Sequence, residues 1–220
     1  MVIQPDSKNY AVMLFFLTTI VVPLLVASCA SGPSPENKIP TQVGIARPTW
    51  HVGDRWVHAW TVGAEKGTKT SEVVGLNEVR SVQYYVVRGE SGDWYYTLDL
   101  HWAAIIKDSR VAARVTPPQP WFNWPLDVGK RWDYQGVLEE KDRKDQLRET
   151  YRVVGVEQVQ VPAGTFRAYK LVGEVDSKIV DEYWYAPDVR WYVKWQGRRG
   201  ESAFQEVLQQ YVPGPRTKDQ

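Results

Sequence analysis

Beyond residue 50 the chain alternates apolar and polar residues with a period of two, the mark of strands that bury one face. Trp56, His58, Trp60 and Val62 share one face of the first such run, and Arg55, Val57, Ala59 and Thr61 take the other. A second run repeats this, with Trp132, Tyr134, Gly136 and Leu138 facing Arg131, Asp133, Gln135 and Val137 across the strand. Later strands set Trp102, Ala104 and Ile106 on the same side as Trp191, Val193 and Trp195. His101, Ala103, Ile105 and Lys107 then fall outside with Arg190, Tyr192, Lys194 and Gln196. The tryptophan-bearing side is the expected core, because an indole gains most from leaving water.

These correspondences follow one order along the chain. Val52-Gly53-Asp54-Arg55-Trp56 returns as Val128-Gly129-Lys130-Arg131-Trp132, and Val73-Val74-Gly75 returns as Val153-Val154-Gly155. Tyr85-Val86-Val87-Arg88-Gly89 matches Tyr169-Lys170-Leu171-Val172-Gly173, Trp94-Tyr95 matches Trp184-Tyr185, and Trp102 matches Trp191. The offset grows only where turns are expected, as it would between two copies of one unit with different loop lengths. Residues 50–112 and 126–212 are read as an internal repeat.

Val161-Pro162-Ala163-Gly164-Thr165-Phe166 predicts a tight hairpin, with Pro162 presetting φ and Gly164 free to take a positive φ. It would join strands at 147–161 and 166–175. The charged stretch 139–149 reads as a solvated hairpin tip, and 202–212 as a closing strand. The expected fold is an all-β antiparallel meander of about ten to twelve strands. Large open sheets twist too strongly to stay flat, so the sheet should curl into a half-barrel or β-roll of two similar units.

The N-terminus has a different pattern. A polar leader with Lys8 and Asp6 precedes an apolar run at 11–26, and Val26-Ala27-Ser28-Cys29 then has the form of a bacterial lipobox. Small side chains at Ala27 and Ser28 would let a peptidase cut between Ser28 and Cys29, and the thiol would carry the lipid. Several acyl chains, at ~0.8 kcal/mol per buried CH₂, hold a protein on a membrane where one is marginal. Ala30 and Ser31 follow the cysteine, so an inner-membrane retention signal of the Asp type is absent. The expected site is the cell envelope, on the periplasmic face of the outer membrane where the host has one. Residues 1–28 are thus a signal peptide, 29–49 a lipidated cysteine with a linker containing Pro33, Pro35, Pro40 and Pro48, 50–213 one β-domain, and 214–220 a tail. With the single cysteine consumed, the fold must rest on its core without an internal disulfide.

Lys and Arg number 27 against 26 Asp and Glu, a net charge of +1, which excludes a one-sign field for recruiting nucleic acid. Of the eleven tryptophans, the matched pairs Trp56 with Trp132, Trp94 with Trp184, and Trp102 with Trp191 read as core. Trp121, Phe122 and Trp124 lie instead in the proline-rich run Pro117-Pro118-Gln119-Pro120-Trp121-Phe122-Asn123-Trp124-Pro125, which has no strand period. They form either a lid folded over the open end of the sheet or an exposed contact for a partner or glycan, and are the candidate partner-binding residues.

His51, His58 and His101 have no metal-ligand spacing. Asp99 and His101 share a strand face without a nucleophile nearby in sequence, and the carboxylates of Asp181-Glu182 would need to converge across a cleft to cleave a glycoside. No catalytic residue, metal or cofactor is expected beyond the covalent lipid on Cys29. The expectation is a non-enzymatic, membrane-anchored protein that binds an envelope protein or polymer. The alternative is a carrier for an apolar ligand held within the curled sheet.

Trp124-Pro125-Leu126 leading into Val128-Gly129 and Trp132, the Val-Pro-Ala-Gly-Thr-Phe hairpin at 161–166, and Tyr183-Trp184-Tyr185-Ala186-Pro187-Asp188 resemble a family of uncharacterised exported β-rich bacterial proteins, many of them lipoproteins. The likeness spans most of 120–212 and, through the repeat, more weakly 50–112. It implies an envelope-located β-domain and carries no active site with it.

Overall fold

The computed structural model describes residues 44–199 and 201–216; Ser28, Cys29 and the residues 1–28 expected to form a signal peptide lie outside them. Twelve strands run β1 (Arg55–Val62), β2 (Glu65–Val79), β3 (Val82–Gly89), β4 (Gly92–Thr97), β5 (Trp102–Lys107) and β6 (Arg110–Gln119), then β7 (Arg131–Glu140), β8 (Arg143–Val161), β9 (Gly164–Val175), β10 (Lys178–Ala186), β11 (Trp191–Arg199) and β12 (Ser202–Val212). Every strand pairs antiparallel with its sequence neighbours, and β1 also pairs with β12, from Arg55 opposite Val212 to Val62 opposite Phe204.

The sheet is therefore a closed barrel, and the expected open half-barrel or roll is corrected. Closure satisfies the two edges that an open meander would leave unpaired. The pairing that achieves it joins the two ends of the domain and has no local sequence signal.

Turn chemistry explains why consecutive strands pair. Arg80-Ser81, Asp108-Ser109 and Asp176-Ser177 each put two residues at positive φ between antiparallel strands, the backbone that matches strand twist in a two-residue hairpin. Pro162-Ala163 joins β8 to β9 as expected, with Gly164 at φ 136°. The charged stretch is the extended end of the β7–β8 hairpin, where Glu140 opposes Arg143.

The strands β1–β6 and β7–β12 share local hydrogen bonding. Gly53 (φ 91°) donates to the Val73 carbonyl at 2.7 Å, and Gly129 (φ 90°) to that of Val153 at 2.9 Å. Val73 N–H returns to Asp54 and Val153 N–H to Lys130, both at 2.9 Å, and each strand then bulges before Gly75 or Gly155. The residue after the glycine differs in sign, and each uses its charge to close the same end of the barrel.

Asp54, at 0 % exposure, accepts hydrogen bonds from His51 N–H (2.9 Å), Arg190 (3.0 Å), the Tyr211 hydroxyl (3.0 Å) and Gly214 N–H (2.8 Å). Lys130 donates instead to the carbonyls of Asn123 (2.6 Å) and Pro125 (2.9 Å). The first cluster ties the segment before β1 to the chain after β12, and the second pins the β6–β7 connection.

An eight-stranded barrel is about as wide as its own side chains can fill, and diameter grows with strand number. Twelve strands therefore need additional filling. Large aromatics supply part of it: Trp50 stands 4.8 Å from Trp191 and 5.3 Å from Trp56 between ring centroids. The β6–β7 connection supplies more, entering the barrel with Phe122 and Leu126 fully buried.

Candidate ligand-binding cavity

The filling is uneven between the two halves. Where β1 and β2 set Trp60 opposite Gly67, the equivalent pair on β7 and β8 is Gly136 opposite Leu147. A Cβ on Gly67 would come within 2.6 Å of the Trp60 indole, so the glycine is what lets that ring lie across β2. On the β7–β8 side the interior is closed. Tyr134 donates to the Pro117 carbonyl at 2.7 Å, Trp132 stacks on Tyr151 at 5.6 Å, and Gln119 donates to Glu149 (2.6 Å) and Tyr151 (2.9 Å).

On the β1–β4 and β11–β12 side a cavity of about 510 Å³ remains. Seven tryptophans line it: Trp50, Trp56, Trp60, Trp94, Trp121, Trp191 and Trp195. The lining runs from buried Trp50, Trp56 and Tyr96 to Val62, Glu90, Ser91 and Phe204 at the hairpin rim, opposite the end closed by Asp54 and Lys130. That volume lies within the range of small-molecule pockets, and such sites combine an apolar wall with few polar groups.

The polar group here is a cluster on strands that lie side by side around β1, with Glu206 and Tyr192 buried and Lys69 half-buried. Lys69 on β2 lies 2.6 Å from the Glu206 carboxylate on β12, and the Tyr192 hydroxyl on β11 donates to the same oxygen at 2.6 Å. Lys69 Nζ also sits 5.9 Å from the ring centroid of Tyr192 and 5.7 Å from that of Trp195. Burial, and then the Glu206 charge, raise the Tyr192 phenol well above its ordinary range, so it remains a donor. His58 stacks on Tyr192 at 4.6 Å and its Nε2 lies 3.1 Å from the Tyr192 carbonyl. A carbonyl only accepts, so Nε2 carries the hydrogen and Nδ1 is a bare, buried acceptor. Burial drives this imidazole down to about 3, and the nearby Lys69 charge adds to the effect.

Neither Lys69 nor Glu206 was singled out from sequence, although the signal was present. Phe204, Glu206 and Leu208 share one strand face, as do Lys69, Ser71 and Val73, and buried apolar residues on those faces carry the polar ones inward.

The residues flagged from sequence are distributed differently. Phe122 is fully buried against Tyr185 (5.3 Å) and Trp191 (5.6 Å), Trp121 stacks on Trp102 (5.8 Å) at the cavity wall, and Trp124 donates to the Asp99 carbonyl at 3.0 Å. This segment is an internal plug that contributes Trp121 to the cavity. The matched pair Trp94 and Trp184 face opposite ways. Trp94 stacks on inward Tyr96, whereas Trp184 lies between Lys170 (4.9 Å) and Lys194 (4.4 Å) on the outer wall, and Tyr183 and Tyr185 point inward. Tyr192, expected outside, is inside because Val193 is left out of the β10–β11 register.

His51 contacts Arg190 at 2.7 Å, and His101 is held below its ordinary range chiefly by burial. Asp99 pairs with Arg47 at 3.2 Å. Asp181 accepts from the Trp195 indole at 2.8 Å while Glu182 pairs with Lys170 at 2.6 Å, so strand alternation sends those carboxylates to opposite faces.

No family model and no curated protein matches the chain. Among solved structures it is similar to a Bacteroides fragilis protein named as exported and as having a YmcC-like fold, at 16 % identity over 77 % of this chain and 99 % of that one, with a TM-score of 0.42. It is also similar to a Parabacteroides distasonis protein named as a lipoprotein, at 15 % identity, 78 % and 100 % coverage and a TM-score of 0.41. A third is the hypothetical lipoprotein YmcC of Escherichia coli, at 10 % identity, 74 % and 86 % coverage and a TM-score of 0.38.

Proposed function

We propose that this protein is a lipid-anchored, non-catalytic binding protein of the bacterial cell envelope whose barrel carries a small, largely apolar ligand. The anchoring part rests on the lipobox at Cys29. The carrier part rests on one observation, the tryptophan-lined cavity that stays open at the hairpin rim while the other end is plugged. This inverts the order of the two expectations from sequence. A docking surface for a protein or polymer partner was assigned to Trp121, Phe122 and Trp124, and with Phe122 fully buried that segment does not form a continuous exposed face.

A ligand entering the cavity displaces water from the parts of the indole faces that remain exposed there, which stabilises it by ~25 cal/mol per Å² of apolar surface covered. No side chain among those lining the cavity needs to react for this to work. Titration of the purified domain with 1-N-phenylnaphthylamine, an apolar fluorophore, should give saturable fluorescence with one site per chain. Trp94→Ala combined with Trp121→Ala should weaken it about tenfold or more, the loss expected for removing two apolar walls. Absence of saturable binding, together with a bare mass in native mass spectrometry, would reject the carrier reading. Loss of labelled palmitate from a Cys29→Ser variant tests the anchor separately.

A further inference from the structure

We infer that the cavity selects ligands with a carbonyl head, acyl esters or amides on an apolar chain, and that Lys69 is the residue that reads this head. The inference rests on the carrier reading and adds the chemistry of the ligand to it.

The polar cluster in the cavity wall is asymmetric. Both line the cavity, but the Lys69 side chain is 29 % exposed and that of Glu206 only 7 %, so Lys69 is the more accessible of the two. Glu206 is already engaged, because one of its oxygens takes both the Lys69 ammonium and the Tyr192 hydroxyl at 2.6 Å. Tyr192, held protonated, spends its only hydrogen there. An ammonium has three N–H donors, and Glu206 needs one of them. Lys69 therefore offers N–H donors where the wall meets the cavity, and the Glu206 oxygen beside it is already occupied. A ligand with an acceptor oxygen gains a charge-assisted hydrogen bond at this point, while an alkane end leaves the ammonium partly desolvated.

Charge selects among acceptors. Lys69 and Glu206 neutralise each other, and a ligand carboxylate seated on Lys69 would face the Glu206 charge at close range in a poorly solvated wall. An ester or amide oxygen accepts the same hydrogen bond without that repulsion. The faces of Tyr192 and Trp195 hold the ammonium in position, so little freedom is lost when the ligand arrives.

The test uses the purified domain and three dansyl probes on the same undecyl chain, ending in a methyl ester, a carboxylate or a methyl group. The ester should bind about tenfold more tightly than the methyl-ended probe, and more tightly than the carboxylate, as one charge-assisted hydrogen bond would give. Lys69→Met paired with Glu206→Gln, which leaves no lone buried charge, should remove the ester preference and keep the methyl-ended probe. Lys69→Arg should preserve the preference, and it tests the role of the cation in case the double variant does not fold. Equal binding of ester and methyl-ended probes to the unaltered domain overturns the inference while the carrier reading stands. A preference that persists in a folded double variant overturns the role of Lys69. If none of the three probes binds, the carrier reading fails, and this inference with it.

Discussion

Phe122 and His58 carry the two largest commitments at the scale of single residues. Phe122 is a fully buried residue of the plug, packed against Tyr185 and Trp191. Phe122→Ala should lower unfolding free energy by about 3–5 kcal/mol, the range for deleting a buried phenyl ring, as measured by urea denaturation. A loss below about 1 kcal/mol would mean that the plug does not support the barrel.

His58 makes stability depend on pH. Its folded value is lowered to about 3 by burial, against about 6.5 when unfolded. Between those values the unfolded chain holds a proton that the folded one excludes, so stability is full above the unfolded value and declines as pH falls. The slope is at most about 1.4 kcal/mol per pH unit for one group, and it flattens below the folded value. The Lys69 ammonium, on the strand paired with it, and the Glu206–Tyr192 pair face the same interior. Urea unfolding at about pH 7, 5.5 and 4.5 should show this decline, and His58→Gln should remove that part of it. An unchanged slope in the variant would assign the acid sensitivity to other groups.

At the scale of elements, β12 decides closure. It hydrogen-bonds to β1 on one side and β11 on the other, and turns Phe204, Glu206 and Leu208 inward. A chain ending before Ser202 would leave two unpaired edges rich in tryptophan and valine, a template for association between copies. Size-exclusion chromatography should show oligomers or aggregate for that truncation. A monomer with unchanged melting would show that closure contributes little.

Most strand positions, and the hairpin at Pro162-Ala163, were legible because period-two alternation and turn residues are local. The faces of Trp184 and Tyr192 were not. An extra residue on β11, Val193 opposite the Trp184/Tyr185 step, turns Tyr192 inward, whereas Trp184 faces out by plain alternation between inward Tyr183 and Tyr185, one residue out of step with Trp94. Alignment by the shared Trp-Tyr pair matched an inward Trp94 to an outward Trp184, where the strand pairing sets Tyr95 in the place of Trp184.

At the scale of the whole molecule, two sets of six strands share hydrogen bonds yet fill their interiors differently. Tyr134, Tyr151, Gln119 and Glu149 close one side, and the paired Trp60 and Gly67 leave the other open beside Lys69 and Glu206. The candidate site thus lies where the two sets of strands differ. Its residues come from the segment before β1, from β1 to β4, β11, β12 and the plug, which meet only when the barrel closes.

The sequence by itself determined the strands, their antiparallel succession, the repeated turn around Gly53 and Gly129 and the tryptophan-rich core face, because each is written in spacing over a few residues. Only the tertiary structure decided that β1 meets β12, that Phe122 and Trp121 turn inward, and that a lysine and a glutamate far apart in the chain form one wall of a cavity. Those outcomes depend on how wide twelve closed strands must be and on what remains to fill the interior, a constraint on volume that no local pattern records.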